Sequence, residues 1–318
     1  MPAATGRRRR LLACTGLIVT NRPGRTVEIS TFQFALLLAL PVLVFLVLVV
    51  AYPLGYALWM STHEISFFGG YKAEFVGAEH FADIWSSKRF WKSVGVTFRF
   101  TAESVVLAML IGLGLALVLD RPMRFAGLVR TLVILPWCVS LYGTGVMFSY
   151  LAKGQTGLGT ALAAAFGATD AVNFVNRDWV IEVLAIGNAW NLAPLVAFFL
   201  LANLKTIPSR LYDLAAIDQM SRFETFRNVT LPPLRFTLFV FTCITTVLSM
   251  KLFDFIFVLS GGGPGTASAV LTYQIYKSSF KDLDLGHGAA MSFYLLVMIV
   301  GSTLLLYFIW GRREARSP

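Results

Sequence analysis

Charged and amide side chains inside long apolar stretches are where this sequence could do chemistry, because such groups are costly there and default to functional roles. Arg99 and Glu103 stand four apart in one such stretch. On a helix they share a face and can neutralise each other. Lys251 and Asp254 stand three apart in another stretch and can pair likewise. Asn188, Trp190 and Asn191 fall in a third. Amide, carboxylate and indole groups suit a carbohydrate, which offers hydroxyls to bond and an apolar ring face to stack. The same amides and indoles also bridge helices in bundles. Both readings stay open from the residues alone.

The usual catalytic constellations are missing. His63, His80 and His287 show no metal-ligand spacing, and no G-x-S-x-G nucleophile elbow occurs. Leu259-Ser260-Gly261-Gly262-Gly263-Pro264 is glycine-rich, but a phosphate-binding loop needs a Gly-Lys dipeptide, and the sequence has none. Gly261, Gly262, Gly263 and Pro264 therefore predict a flexible loop on the external side. Cys14, Cys138 and Cys243 are far apart in apolar contexts and read as small hydrophobes. A proton-coupled carrier or membrane-embedded enzyme using Glu103, Lys251 and Asp254 is the alternative these residues leave.

The elements that position these groups follow from composition. Of 318 residues, 57% are hydrophobic and only 14% charged; mean hydropathy is +0.70. Soluble domains carry about 25% charge, so an ordinary soluble enzyme, a disordered chain and a disulfide scaffold are excluded. A membrane helix needs about 20 apolar residues. Six stretches qualify: Phe34 to Met60, Val94 to Leu119, Thr131 to Ala152, Trp179 to Ala202, Phe236 to Leu259 and Gly286 to Trp310. Backbone groups in lipid must be satisfied internally, so these are helices. Pro41, Pro53, Pro136 and Pro194 are expected to be tolerated as kinks.

Six spans place both termini on one side. Seventeen of the 27 basic residues fall in the N-terminal segment, the second and fourth inter-span loops and the tail; eight fall in the opposite loops. That bias places both termini in the cytoplasm. The net charge of +10 thus reports orientation and calls for no nucleic-acid partner. Arg7 to Arg10 followed by a short apolar run resembles a targeting signal, but the run is too short, and the segment reads as a basic tail. The expected organisation is a tail over 1–33, a transmembrane domain over 34–310 and a tail over 311–318.

The longest cytoplasmic loop, 204–234, carries two helix signals. Ser209 is placed to cap a helix running to about Ile217, and Ser221 with Glu224 has capping-box spacing for a second. Pro232-Pro233 is expected to end that second helix. Leu211, Leu214, Ala215, Ile217, Phe223 and Phe226 make a surface too apolar to leave in water. It docks into a partner or lies on lipid headgroups. A DNA-binding helix-turn-helix is disfavoured, because both ends are tethered to spans.

This loop resembles the EAA loop of bacterial ABC-importer permeases. Tyr212 precedes Asp213 at the Glu position; Leu214 and Ala215 stand at the Ala pair, with Ala216, Ile217 and Asp218 after them. Gln219 occupies the Gly, Val229 the Ile, and Leu231-Pro232 close the motif. Arg222-Phe223 and Phe226-Arg227 fit its flanks. Phe75-Val76-Gly77 and Leu135-Pro136-Trp137 also fit the family, and Phe253-Asp254 with the Gly261–Gly265 run resembles its sugar-importing branch. The resemblance implies an all-α, six-helix type I permease with a cytoplasmic coupling helix-turn-helix. It implies a second permease, two ATPase subunits that carry ATP and Mg, an extracytoplasmic solute-binding protein and a bacterial inner-membrane location. It also implies no cofactor or metal in this chain and no enzymatic step of its own. Asp213 would pair with a basic residue of the ATPase, and Ala215 and Ala216 would allow close approach. Gln219 is a departure: a left-handed turn there costs a non-glycine residue roughly 1–2 kcal/mol.

Overall fold

The computed structural model describes residues 30–66, 72–154, 157–165, 167 and 173–311, together with 19–20 and 26–27. Residues 1–18 and 312–318 of the expected tails lie outside the described residues, as does Cys14. The chain forms two units, Met1–Trp59 and Met60–Pro318.

In the first unit, β1 (Val19–Thr20) pairs antiparallel with β2 (Thr26–Val27). Helix α1 (Thr31–Leu46) opens on a capping box between Ser30 and Gln33. A π-helical turn, Val47–Ala51, joins it to α2 (Tyr52–Ser61). In that turn Tyr52 N–H reaches back to Val47 O. The wider turn comes directly before Pro53, which has no N–H to give.

The second unit begins with a hairpin, β3 (His63–Ser66) and β4 (Lys72–Phe75), with Glu64 opposite Glu74. These four-residue strands depart from the all-α expectation; they are too short to leave a periodic signal. Then come α3 (Glu79–Ser86), α4 (Lys88–Leu119), α5 (Ala126–Cys138), α6 (Leu141–Ala152), α7 (Leu158–Ala165) and α8 (Val180–Leu204). The loop region holds α9 (Ser209–Ile217) and α10 (Arg222–Thr225), and a π-helical turn, Phe226–Thr230, leads into α11 (Leu231–Met250). The chain closes with α12 (Asp254–Leu259), α13 (Leu271–Tyr276) and α14 (Leu285–Leu306), with a last π-helical turn over Tyr307–Gly311.

Among the described residues, five helices are long and apolar enough to cross a membrane, and a bent pair makes the sixth. That pair corrects the third expected span. α5 and α6 meet at 95° rather than forming one kinked rod. The reason is local. Ser140 is extended, and its hydroxyl accepts from Gly143 N–H, so a new helix starts there. The fifth span is also corrected. Its helix runs from Arg222 to Met250. Pro232 and Pro233 begin α11 instead of ending a short helix. A π-helical turn over Phe226–Thr230 comes directly before them, as another comes before Pro53, and its wider winding lets the helix pass two residues that have no N–H to give.

α4 and α8 form the centre. Ala108, Gly112 and Ala116 recur every four residues along α4 and are buried there. A Cβ on Gly112 would lie 2.7 Å from the Val196 side chain. Small residues at this spacing let two backbones approach closely. Gly187 does the same for Phe255 of α12, whose ring would sit 2.3 Å from an added Cβ. Gly145 admits Val258 in the same way. Thus α12 is wedged against α6 and α8 and is not a continuation of the fifth span.

Candidate functional site

The loop 204–234 folds as a helical hairpin. Ser221 and Glu224 make the expected capping box, with both reciprocal hydrogen bonds present. The expected Ser209 cap is corrected: Pro208 is the extended cap residue, Ser209 is already helical, and no side chain caps α9. Gln219 takes a left-handed conformation, φ 54°. Its N–H donates to Ala216 O and the Met220 N–H to Ala215 O. These two bonds make a Schellman ending, the geometry that favours glycine at this position. The turn is therefore the glycine-type turn, held with a glutamine in place.

Tyr212 is half-buried, its hydroxyl 3.3 Å from Thr230 Oγ1, which ties α9 to the base of α11. Ala215 is buried. Phe226, Leu231 and Pro232 are half-buried, while Asp213, Ala216, Asp218 and Gln219 are exposed. Leu211 and Leu214 are exposed too, and Ile217 and Phe223 stand 74% and 70% exposed.

A second feature is a cleft of ≈ 520 Å³ at the break between α5 and α6, where α8 and the end of α11 also meet. Asn188, Asn191, Lys251 and Asp254 line it, with Trp137, Cys138 and Ser140. Trp190 does not; it packs near Phe148, ring centres 5.9 Å apart. Asn188 Nδ2 donates to Ser249 Oγ at 2.9 Å, joining α8 to α11. Asn191 Nδ2 donates to Pro136 O at 2.8 Å and Val139 O at 3.2 Å, answering carbonyls freed by the break. Lys251 caps α11, and Asp254 starts α12. The expected Lys251–Asp254 helix pair is therefore corrected: a chain turn separates them, and among the described residues they form no ion pair with each other.

Arg99 and Glu103 do pair, Nε to Oε1 at 2.8 Å. A third member joins them, since Arg99 Nη2 also bonds Glu182 Oε1 on α8. The group is a triad with one positive and two negative charges, bridging the two central helices. Glu103 does not line the cleft, so Glu103, Lys251 and Asp254 are not gathered into one site.

The family model for "Binding-protein-dependent transport system inner membrane component" matches residues 104–310. This chain belongs to that family. The permease is 31% identical to the trehalose/maltose transport system permease protein of Thermococcus litoralis, over 87% of this chain and 92% of that one. It is 27% identical to the sulfoquinovosyl glycerol transport system permease protein of Agrobacterium fabrum, over 86% and 89%. Its fold matches a chain of a bacterial alginate ABC transporter, solved in complex with an alginate pentasaccharide-bound periplasmic protein. The TM-score is 0.76 at 19% identity, covering 90% of this chain and 96% of that one. The fold is that of a type I importer permease.

The permease also holds groups that the sequence did not single out. Glu182 is one; its signal was an acid two residues into α8, inside an apolar stretch, in need of a partner. A second group joins His80 and His287, ring centres 4.8 Å apart, with Asp284. Asp284 Oδ1 accepts from the His287 N–H and so caps α14. Burial works to raise the Asp284 carboxyl, but the hydrogen bonds and charge of His287, with His80, hold it below the usual range. No sequence spacing could reveal this group, since α3 and α14 lie about two hundred residues apart.

The glycine-rich segment, expected as a loop, forms a hydrogen-bonded turn. Gly261, Gly262 and Gly265 all have positive φ. A Cβ on Gly262 would lie 2.4 Å from the Tyr273 ring. Ser268 Oγ bonds Gly263 O at 2.6 Å and Ser260 Oγ at 2.8 Å, while Pro264 is exposed. Glycine supplies the left-handed backbone, and the buried Ser268 pins it.

Proposed function

We propose that this permease is one of two membrane subunits forming the pathway of a bacterial ABC importer for a sugar or sugar-like solute. Its partners are a second, homologous permease, two cytoplasmic ATPase subunits that bind ATP and Mg, and a solute-binding protein outside. Both termini face the cytoplasm, as does the hairpin 204–234. The observation that carries the reading is the hairpin itself. Ile217 and Phe223 protrude on either side of a turn fixed by backbone bonds, and the helix that carries Phe223 continues as α11. Apolar side chains held out from a rigid base favour insertion into a partner's cleft. ATP-driven closure of the ATPases then moves the hairpin, and α11 transmits the motion as a rigid body. α11 ends at Lys251, beside the cleft, so the docking end and the candidate solute path are the two ends of one rod.

The cleft supports a polyhydroxylated solute. Lys251 and Asp254 are exposed there, and the amide oxygens of Asn188 and Asn191 remain acceptors. The relatives named as trehalose/maltose and sulfoquinovosyl glycerol permeases agree with this class. The test is copurification of the tagged permease with its ATPase, and solute uptake, in wild type and Asp213→Lys/Asp218→Lys. Loss of the ATPase and of uptake is expected. Unchanged association and uptake would remove the coupling role.

A further inference from the structure

We propose that a cavity between the starts of α4 and α14 holds the headgroup of a zwitterionic phospholipid, one whose phosphate carries a primary ammonium. The inference goes beyond the importer reading and does not depend on it, because it concerns the membrane around the chain rather than the cargo.

The cavity, of ≈ 250 Å³, is bounded by α3, α4, α13 and α14. Asp83, Arg89, Gln274, Asp282 and Asp284 supply its polar wall, and Phe90 and Met291 an apolar one. Gln274 is the first sign of an occupant. It is only 9% exposed, and among the described residues its amide makes no hydrogen bond. A buried amide is ordinarily bonded to the protein or to something held against it.

The charges are the second sign. Both signs line one cavity, yet among the described residues Arg89, Asp83 and Asp282 form no ion pair. Asp284 is engaged with His287. A ligand of one sign would leave either Arg89 or the carboxylates unanswered, whereas a zwitterion answers both. Among the described residues no three His, Cys, Asp or Glu side chains are grouped to hold a metal ion, so the positive end is a hydrogen-bonding organic cation.

The level in the membrane names the source. The span of α4 begins at Lys88 and that of α14 at Leu285, so the cavity lies where two spans enter the bilayer. Trp85 and Trp91, next to Phe90, are 58% and 45% exposed. Their ring centres stand 4.7 Å apart, and Trp91 Nε1 donates to Trp85 O at 2.8 Å. Indoles fixed at a span entrance mark the headgroup layer. There the Arg89 fork suits a phosphate. A primary ammonium brings three donors, matched by the Asp83 and Asp282 carboxylates and the Gln274 amide oxygen. Phe90 and Met291 are left for the carbon skeleton. A choline headgroup carries the same charges but no N–H, so it tests whether donors are read.

The experiment takes the assembled membrane complex from nanodiscs of phosphatidylglycerol mixed with either phosphatidylethanolamine or phosphatidylcholine. Native mass spectrometry counts the lipids retained per permease. Lipids held elsewhere persist in the variants and are subtracted. One phosphatidylethanolamine is expected at this cavity in wild type, and no phosphatidylcholine. Gln274→Leu and, separately, Asp83→Asn/Asp282→Asn are expected to lower its retention about tenfold, as loss of charge-assisted or buried hydrogen bonds would. Both aspartates are exposed, so the second variant serves if the first does not fold. Equal retention of phosphatidylethanolamine in wild type and the aspartate variant overturns the proposal. Phosphatidylcholine retained as well as phosphatidylethanolamine overturns it too, because the donors would not be read. Binding of soluble O-phosphoethanolamine with no lipid retained assigns the cavity to a soluble zwitterion and overturns the lipid as occupant. None of these outcomes touches uptake or ATPase association, so the importer reading is tested separately.

Discussion

The turn at Gln219 gives a sharp test of how the hairpin is held. Its φ of 54° lies in the left-handed region, where the Cβ of an L-residue crowds the following carbonyl. The crowding costs about 1–2 kcal/mol. Gln219→Gly removes that cost, but glycine loses more chain entropy on ordering, about 0.5–1 kcal/mol. The net expectation is a turn stabilised by about 0.5–1 kcal/mol, or two- to fivefold in its opening equilibrium. Gln219→Val moves the other way, because a β-branched residue at positive φ is a genuine outlier. A loss of about 1–2 kcal/mol is expected there, roughly tenfold in the opening equilibrium. The amides that report it are those of residue 219 and Met220, which close the turn onto Ala216 O and Ala215 O. Hydrogen exchange read by mass spectrometry over residues 207–230 measures both. The expected order of protection is Gly, then Gln, then Val, with ATPase coupling following it. Equal protection in the valine variant and wild type would refute the backbone argument, whatever its activity.

Asn191→Leu should destabilise the permease by about 1–3 kcal/mol, because it removes the side-chain donor to Val139 O and leaves Pro136 O with the Val139 N–H alone at the helix break. Thermal unfolding in detergent checks it, and a midpoint equal to wild type would assign the break to other contacts. Arg99→Leu should destabilise the permease, since Glu103 and Glu182 lose their shared cation between two membrane helices. Adding Glu103→Gln and Glu182→Gln should restore much of the loss; absence of that rescue would show that packing, not charge, was at stake.

Much of the fold was legible because membrane spans announce themselves by length and apolarity alone. Four of the six spans lie close to their expected bounds. The Ser221–Glu224 capping box was legible for a similar reason: both partners sit within one turn of chain. The errors fell where a local signal has two structural outcomes. Pro136 was consistent with a kink or a break, and the break followed because Ser140 can start a helix and Asn191 can serve the freed carbonyls. Pro232-Pro233 was read as a stop, and the helix instead passes through, by way of the π-helical turn over Phe226–Thr230. Ser209 lost the cap because Pro208 was already extended. Of the solute-path candidates, Asn188, Asn191, Lys251 and Asp254 converge, and Trp190 turns away.

By itself the sequence determined that the chain lies in a membrane, roughly where it crosses, and which loop bears the hairpin. These depend on apolar length, on local caps and on a motif contiguous in the chain. Only the tertiary structure decided that the Arg99–Glu103 pair is a triad, that two asparagines brace the edges of a polar cleft, and that Lys92 reaches the glycine-rich turn. Each of those contacts joins residues 52 to 174 positions apart. At such separation no periodicity links the partners; they come within a hydrogen bond only where α4 and α8 pack on each other and on α5, α11 and the glycine-rich turn.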